Sequence, residues 1–258
     1  MDNYNLAIII TTFLRDNLLY KTIQTIVDNY PKNSIVLIAD QGYTDSEKDI
    51  TIDYYKSQIP LEYYRFPFDC GVYTVRNYLV RIANEKKIPY VLIGADSIQF
   101  TQPYDFEPII KFLEQDEQTA LCGFELLNSK MAWEFNMELT KSGIQFSYSD
   151  NWTEFEGIKY LKIDICRNIY LAKTKVLLDS PYDEELKLGG HELNFWNLKQ
   201  KNYKCYWTDY YTFKRVSNRN NKEYETYRKR LGDYLKIVRQ KLGITGWVIY
   251  PKNKNVHR

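Results

Sequence analysis

Short apolar runs that end abruptly in polar residues punctuate the first hundred positions of this 258-residue chain. Leu6-Ala-Ile-Ile-Ile10 runs into Thr11-Thr12, Ser34-Ile-Val-Leu-Ile-Ala39 into Asp40-Gln41-Gly42, and Tyr90-Val-Leu-Ile-Gly94 into Ala95-Asp96-Ser97. Runs of this length and composition predict strands buried on both faces. Between them, apolar residues recur at helical spacing from Leu18 to Val27, and further helices are predicted over Ser46 to Ser57 and Val72 to Asn84, with a strand at Leu61 to Phe66. This alternation predicts an α/β fold built on a doubly wound, mostly parallel sheet that binds ligands at the carboxyl ends of its strands.

Beyond Phe100 the rhythm changes. A helix is predicted over Pro108 to Gln115, strands over Ala120 to Leu127 and Gly143 to Tyr148, and strand-rich composition over Lys159 to Ala172, with Asp164, Arg167 and Asn168 embedded in it. A turn-rich stretch, Pro181 to Leu188, leads to Gly189-Gly190 and a helix from His191 to Lys201. Tyr224, Tyr227, Leu231, Leu235 and Val238 then form one apolar stripe, with Lys222, Lys229 and Lys236 on another face, so a basic amphipathic helix is expected to close the fold.

Composition narrows the class. A 44% hydrophobic and 26% charged chain is that of a soluble globular protein, and its length suits one domain with an elaboration. The 24 Tyr and 12 Phe offer rings that can stack on bases and sugars, although most rings fill core and half-buried positions. Residues 1–5 lack the basic start and apolar core of a secretory signal, and no apolar run approaches the roughly 20 residues that cross a bilayer. A cytoplasmic protein with no transmembrane segment is expected. Cys70, Cys122, Cys166 and Cys205 are too scattered for a zinc knuckle or disulfide framework and should be buried free thiols.

The net charge of +2 hides an asymmetry. Lys214 to Arg258 carries 13 Lys and Arg against 3 Asp and Glu, a balance of +10, which leaves 22 against 30, or −8, for residues 1–213. Such a basic end suits an anionic partner: a diphosphate, a phospholipid headgroup or a nucleic-acid backbone. A solvated helix face with a loose tail would give the same balance.

The polar residues at the strand ends carry the candidate chemistry. Asp40, directly after a buried strand, can accept hydrogen bonds from a uracil imide or a ribose, though an Asp there also forms turns. Asp45 should cap or pin the loop that Gly42 lets turn. In order along the chain, Ile8-Ile-Ile-Thr-Thr-Phe-Leu-Arg15, Ala39-Asp-Gln-Gly-Tyr-Thr-Asp45, Gly71-Val-Tyr-Thr-Val-Arg-Asn77 and Tyr90-Val-Leu-Ile-Gly-Ala-Asp-Ser97 resemble the successive motifs of GT-A fold, family 2-like glycosyltransferases. Asp164-Ile-Cys-Arg-Asn-Ile-Tyr-Leu-Ala172, Tyr182-Asp-Glu-Glu-Leu-Lys-Leu-Gly-Gly-His-Glu192 and Tyr203-Lys204 resemble the beta-1,4-N-acetylgalactosaminyltransferase-like branch, and the similarity covers roughly residues 5–230.

The resemblance implies a glycosyltransferase domain over residues 1–220, with a nucleotide-binding half (1–100) and an acceptor-binding half (101–220), followed by a basic helix and tail (221–258). It places Thr11, Thr12, Arg15, Asp40, Arg76, Asp96 and Ser97 against a nucleotide-sugar donor, with Arg76 on its phosphate or sugar at a helix start that favours anions anyway. Glu192 becomes the base that takes the acceptor hydroxyl's proton. His191 is the alternative base, or orients the sugar, because the alignment can shift by one residue. An acid in a helix's first turn also stabilises the helix dipole. Trp133, Trp152 and Trp196 could be sugar platforms or core residues.

Two departures from the family bear on its metal. Where Asp-Asp-Asp or Asp-x-Asp is frequent, this chain has Ala95-Asp96-Ser97, so Asp96 alone remains as a carboxylate ligand and Mn2+ or Mg2+ should bind weakly. Near Thr212-Phe-Lys-Arg-Val216, where many relatives place a metal-binding His, it has Lys214 and Arg215. Fixed cations can neutralise a leaving diphosphate, so Lys214, Arg215 or Arg219 is expected to do this, with metal-independent catalysis. The expected reaction is transfer of a hexose or N-acetylhexosamine from a nucleotide diphosphate, uridine-linked by preference, to a hydroxyl of a glycan or other acceptor, with inversion. Two rivals stay open: a glycosyltransferase acting on a hydroxylated base in DNA, suggested by the basic end, and a non-catalytic module that only binds sugar or nucleotide.

Overall fold

The computed structural model describes residues 4–128, 134–216 and 221–246. Its first half is β1 (Leu6–Thr12), α1 (Asp16–Asp28), β2 (Ser34–Asp40), α2 (Ser46–Lys56), β3 (Leu61–Arg65), α3 (Val72–Glu85) and β4 (Tyr90–Ile93). Every residue of β1, β2 and β4 is buried, as runs apolar on both faces require. Alternate residues of β1 serve opposite cores: Ala7 and Ile9 face α3, while Leu6, Ile8 and Ile10 face α1 and α2. Leu19, Ile23 and Ile26 of α1 recur at helical spacing on that second face, each contributing about 1.5–3 kcal/mol of burial.

The second half comprises β5 (Ile98–Phe100), α4 (Glu107–Glu114), β6 (Thr119–Leu127), the hairpin β7 (Phe135–Thr140) and β8 (Gly143–Tyr148), β9 (Trp152–Phe155), β10 (Ile158–Ile163), β11 (Tyr170–Lys173), α5 (Thr174–Asp179), α6 (His191–Gln200), β12 (Lys204–Arg215), α7 (Lys222–Arg228) and α8 (Leu231–Leu242). The large sheet runs β3-β2-β1-β4-β11-β6-β12-β10-β9, with β5 paired to the end of β12. Its β3-β2-β1-β4 block is parallel. Strand β11 enters antiparallel between β4 and β6, and β6 and β12 are again parallel. The central, mostly parallel sheet expected from the sequence is present, with antiparallel strands toward the β9 edge.

Two expectations are corrected. The strand-rich run Lys159 to Ala172 is broken: Asp164 accepts hydrogen bonds from the Met137 amide (2.8 Å) and Lys199 Nζ (2.7 Å), which anchors residues 164–169 as a loop between β10 and β11. The single closing helix is two, because the chain turns at Lys229-Arg230, where Arg230 pairs with Asp69 (2.9 Å). That turn lets two apolar sets face different surfaces. Tyr224 and Tyr227 reach Phe13, whereas Leu231 and Leu235 lie over Gly189. All four cysteines are free thiols; three are buried and Cys70 is half-buried. No helix among the described residues is long and apolar enough to cross a membrane.

Candidate active site

The carboxyl ends of β1, β2 and β4 bring the predicted donor residues together. Asp96, just beyond β4, is fully buried. One of its oxygens accepts from Thr12 Oγ1 (2.9 Å) and Arg15 Nε (3.0 Å), the other from Arg15 Nη2, and its carbonyl accepts from Thr22 Oγ1 (2.8 Å). Burial pushes the carboxyl up, while Arg15 and Thr12 act against that shift. Both oxygens are therefore spent inside the protein. Ala95 has no donor atom, Ser97 offers a hydroxyl, and among the described residues no three His, Cys, Asp or Glu side chains cluster as metal ligands. This donor set does not fit a divalent cation as it stands, since a metal could use the Asp96 oxygens only by displacing Arg15.

Asp40 is equally committed. Its carboxylate accepts from Lys48 Nζ (2.8 Å), the Tyr63 hydroxyl (2.5 Å) and the Gly42 amide (2.7 Å), and buried Lys48 also pairs with Asp16 (2.9 Å). Burial works against the Lys48 charge, but Asp40 and Asp16 hold its proton affinity above the ordinary value. A nucleoside reaching Asp40 must share its oxygens with Lys48. Asp45 caps α2, accepting from the Glu47 amide (2.9 Å), as its sequence context suggested.

The expected basic residues lie against the altered triplet. In the β5–β12 ladder Lys214 is opposite Gln99 and Arg215 opposite Ile98, and the Val216 amide donates to the Ser97 carbonyl (2.9 Å). Neighbours on a strand point to opposite faces, so Lys214 and Arg215 cannot both face the same side. Burial lowers the proton affinity of Arg215, and the charges of Arg15 and Arg228 lower it further, which places Arg215 among those guanidinium groups. Arg219 lies outside the described residues, as does Trp133.

Sequence reading missed the return of α7 to this rim. Asn221 caps α7 and donates from Nδ2 to the Leu14 carbonyl (2.5 Å), Tyr224 lies under the Arg15 guanidinium at 4.4 Å, and Tyr43 donates to Glu223 (2.7 Å). Phe13 meets Phe68 and Tyr227 edge-on at 5.2 and 5.0 Å, and Phe68 stacks on Tyr43 at 4.7 Å. The signal was the Tyr224–Tyr227 pair, legible as apolar but silent about its partner. Two of the C-terminal cations are also spent internally, Arg230 on Asp69 and Lys241 on Asp183 and Glu185.

In the half expected to hold the acceptor, the Gly189-Gly190 turn delivers the start of α6. Gly189 has φ +75°, and a Cβ at Gly190 would stand 2.8 Å from Leu186 and 3.0 Å from Tyr73, whose hydroxyl accepts from the Gly190 amide. Glu192 is 6% exposed, and burial pushes its carboxyl up to about 7, with its own amide partly opposing. His191 Nε2 is 2.6 Å from the Cys166 carbonyl and must carry the proton there. Burial holds His191 down to about 4, with the Arg76 charge adding to the effect, so the imidazole is neutral at pH 7. Arg76 itself is 4% exposed, over the Tyr182 ring at 5.0 Å, with Nη1 3.4 Å from Asn168 Oδ1 and no hydrogen-bond partner for Nε. Asn77 is structural, donating to the Tyr182 carbonyl and accepting from its amide. Trp152 is 49% exposed and meets Trp207, whereas Trp196 packs on the core.

Residues 7–164 match the model of the family described as Glycosyl transferase family 2. The chain belongs to that family. Solved structures share the GT-A fold with this family 2 chain at low identity. S. aureus TarS 1-349 in complex with UDP-GlcNAc is 11% identical over 92% of this chain and 66% of its own, with a TM-score of 0.63. GalNAc-T7 with UDP, GalNAc and Mn2+ is 10% identical over 94% and 55% (TM-score 0.62). A Pyrobaculum calidifontis mannosyltransferase, PcManGT, with GDP-Man and Mn2+ is 12% identical over 92% and 63% (TM-score 0.62). This family 2 domain spans 38% of the longer TarS chain. No curated protein matches it in sequence.

Proposed function

We propose that this family 2 glycosyltransferase moves a hexose or N-acetylhexosamine from a uridine diphosphate sugar to an acceptor hydroxyl, inverting the anomeric carbon, with Glu192 as the base. The observation that carries the reading is Glu192, a buried carboxyl at the start of α6 whose proton affinity, about 7, suits proton exchange at neutral pH. Its carboxylate would take the acceptor's hydroxyl proton as that oxygen bonds to the anomeric carbon and the bond to the diphosphate breaks, the electron pair leaving with the nucleotide. Residues 1–100 would supply the donor site and 101–220 the acceptor site.

Arg76 supports the donor role. A buried guanidinium with no carboxylate partner among the described residues is costly by itself and suits an anionic ligand. Neutral His191, anchored to the Cys166 carbonyl, would orient the sugar rather than take the proton. Donors carried by TarS and GalNAc-T7 motivate the uridine nucleotide, and the Asp164-to-Glu192 motifs motivate the N-acetylgalactosaminyltransferase-like branch. Free thiols throughout suit a reducing, cytoplasmic setting.

The test is a panel of UDP-glucose, UDP-galactose, UDP-GlcNAc and UDP-GalNAc offered to purified protein, with UDP release and ligand-induced stabilisation both read. Binding and release of UDP from at least one sugar, with release lost and binding kept in Glu192→Gln, is expected. Binding without any turnover would make the chain a sugar-nucleotide-binding module.

A further inference from the structure

Arg15 and Asp96 cancel each other's charge, and Arg167 has Glu134 at 3.5 Å. That leaves Arg215 and Arg228, which form no ion pair with a carboxylate among the described residues and sense each other across the rim beside Ser97. Their two positive charges equal the formal charge of a divalent cation. We propose that Arg215 and Arg228 bind the diphosphate of the nucleotide donor and take the place of the metal seen in GalNAc-T7 and PcManGT, so that α7 is part of the donor site. This rests on the donor reading above.

The position follows from the strand register. Arg215 stands opposite Ile98, two residues past Asp96, where the family's acidic triplet would hold its ion. Three separate contacts hold α7 over the same place: Asn221 on the Leu14 carbonyl, Tyr224 under Arg15, and Tyr227 against Phe13 and Phe68. These contacts bring Arg228, at the end of α7, within electrostatic reach of Arg215. Guanidinium groups keep their charge at any physiological pH and present paired N–H donors that match phosphate oxygens. Held by a β-ladder and a docked helix, they need little reorganisation when the leaving diphosphate gains charge. The triplet and the basic residues then read as one exchange: Asp96 turned inward to hold Arg15, and Arg215 set on the ladder beside Ser97 in place of a metal-binding residue.

Calorimetric binding of UDP, in EDTA and in Mn2+, to the wild type, Arg215→Ala and Arg228→Ala decides the matter. Wild type should bind equally in both buffers, and each alanine should weaken binding about tenfold or more, the scale of a lost charge-assisted phosphate contact. Arg228 is exposed on a surface helix, so its variant should keep the wild-type circular dichroism spectrum. UDP binding that requires Mn2+, or that survives both substitutions unchanged, overturns the proposal while leaving the donor reading intact. No UDP binding in any buffer would overturn both.

Discussion

Removing Arg15 should expose the inward role of Asp96. In Arg15→Ala the Asp96 carboxylate, 0% exposed, keeps the Thr12 hydroxyl but loses both guanidinium contacts. Breaking a buried pair from one side costs about 3–5 kcal/mol. Arg15 is 19% exposed, which screens the pair and points to the lower end, about 3 kcal/mol. For a domain of this size that is a fall in Tm of about 6–12 °C. The pH dependence has a fixed sign. Burial already raises the Asp96 proton affinity, and without Arg15 its folded value lies further above the unfolded 3.8. A raised carboxyl contributes stability below the unfolded value and loses it as pH rises through the folded one. The deficit should therefore be smaller at pH 5 than at pH 8. Urea unfolding at both values, on Arg15→Ala, Asp96→Asn and the double variant, closes a cycle in which the double variant should be more stable than Arg15→Ala alone. An Arg15→Ala protein within about 0.5 kcal/mol of wild type, or strictly additive losses, would refute the internal pair.

Glu192→Gln should lower transfer by about 10²–10⁴-fold with donor affinity within a factor of a few, measured by steady-state kinetics and calorimetry. In the wild type, kcat/KM should fall about tenfold per pH unit below about 7, because protonated Glu192 cannot accept a proton, and the slope should vanish in Glu192→Gln. Gly189→Ala places a Cβ at φ +75° and 2.8 Å from Leu231, so it should cost about 1–3 kcal/mol by urea unfolding and disturb α6 as well.

Much of the frame was legible because local pattern and tertiary place agree. The short, β-branched apolar run at Leu6–Ile10 is too brief for a helix and reads as a buried strand, and the strand-end residues Thr12, Asp40 and Asp96 fall on one rim because parallel strands align their carboxyl ends. Strands β5 and β9 went unread because three or four residues carry no period, and β12 because its register shifts between Thr208 and Thr212 interrupt the alternation. Which side Asp96 turns to was not legible at all. Its partner Arg15 is 81 positions away, and a lone acid after a strand looks the same whether it meets a metal or a guanidinium. The closing helix shows the same limit more sharply. Periodicity puts Tyr224, Tyr227, Leu231 and Leu235 on one stripe, yet no single straight helix could set its first half on Phe13 and its second on Gly189. The turn at Lys229-Arg230, fixed by Asp69 from the β3–α3 connection, resolves that conflict. A stripe that looks continuous in the sequence is thus two sets of contacts joined by a turn, and only the tertiary partners Phe13 and Gly189 show where each set lies.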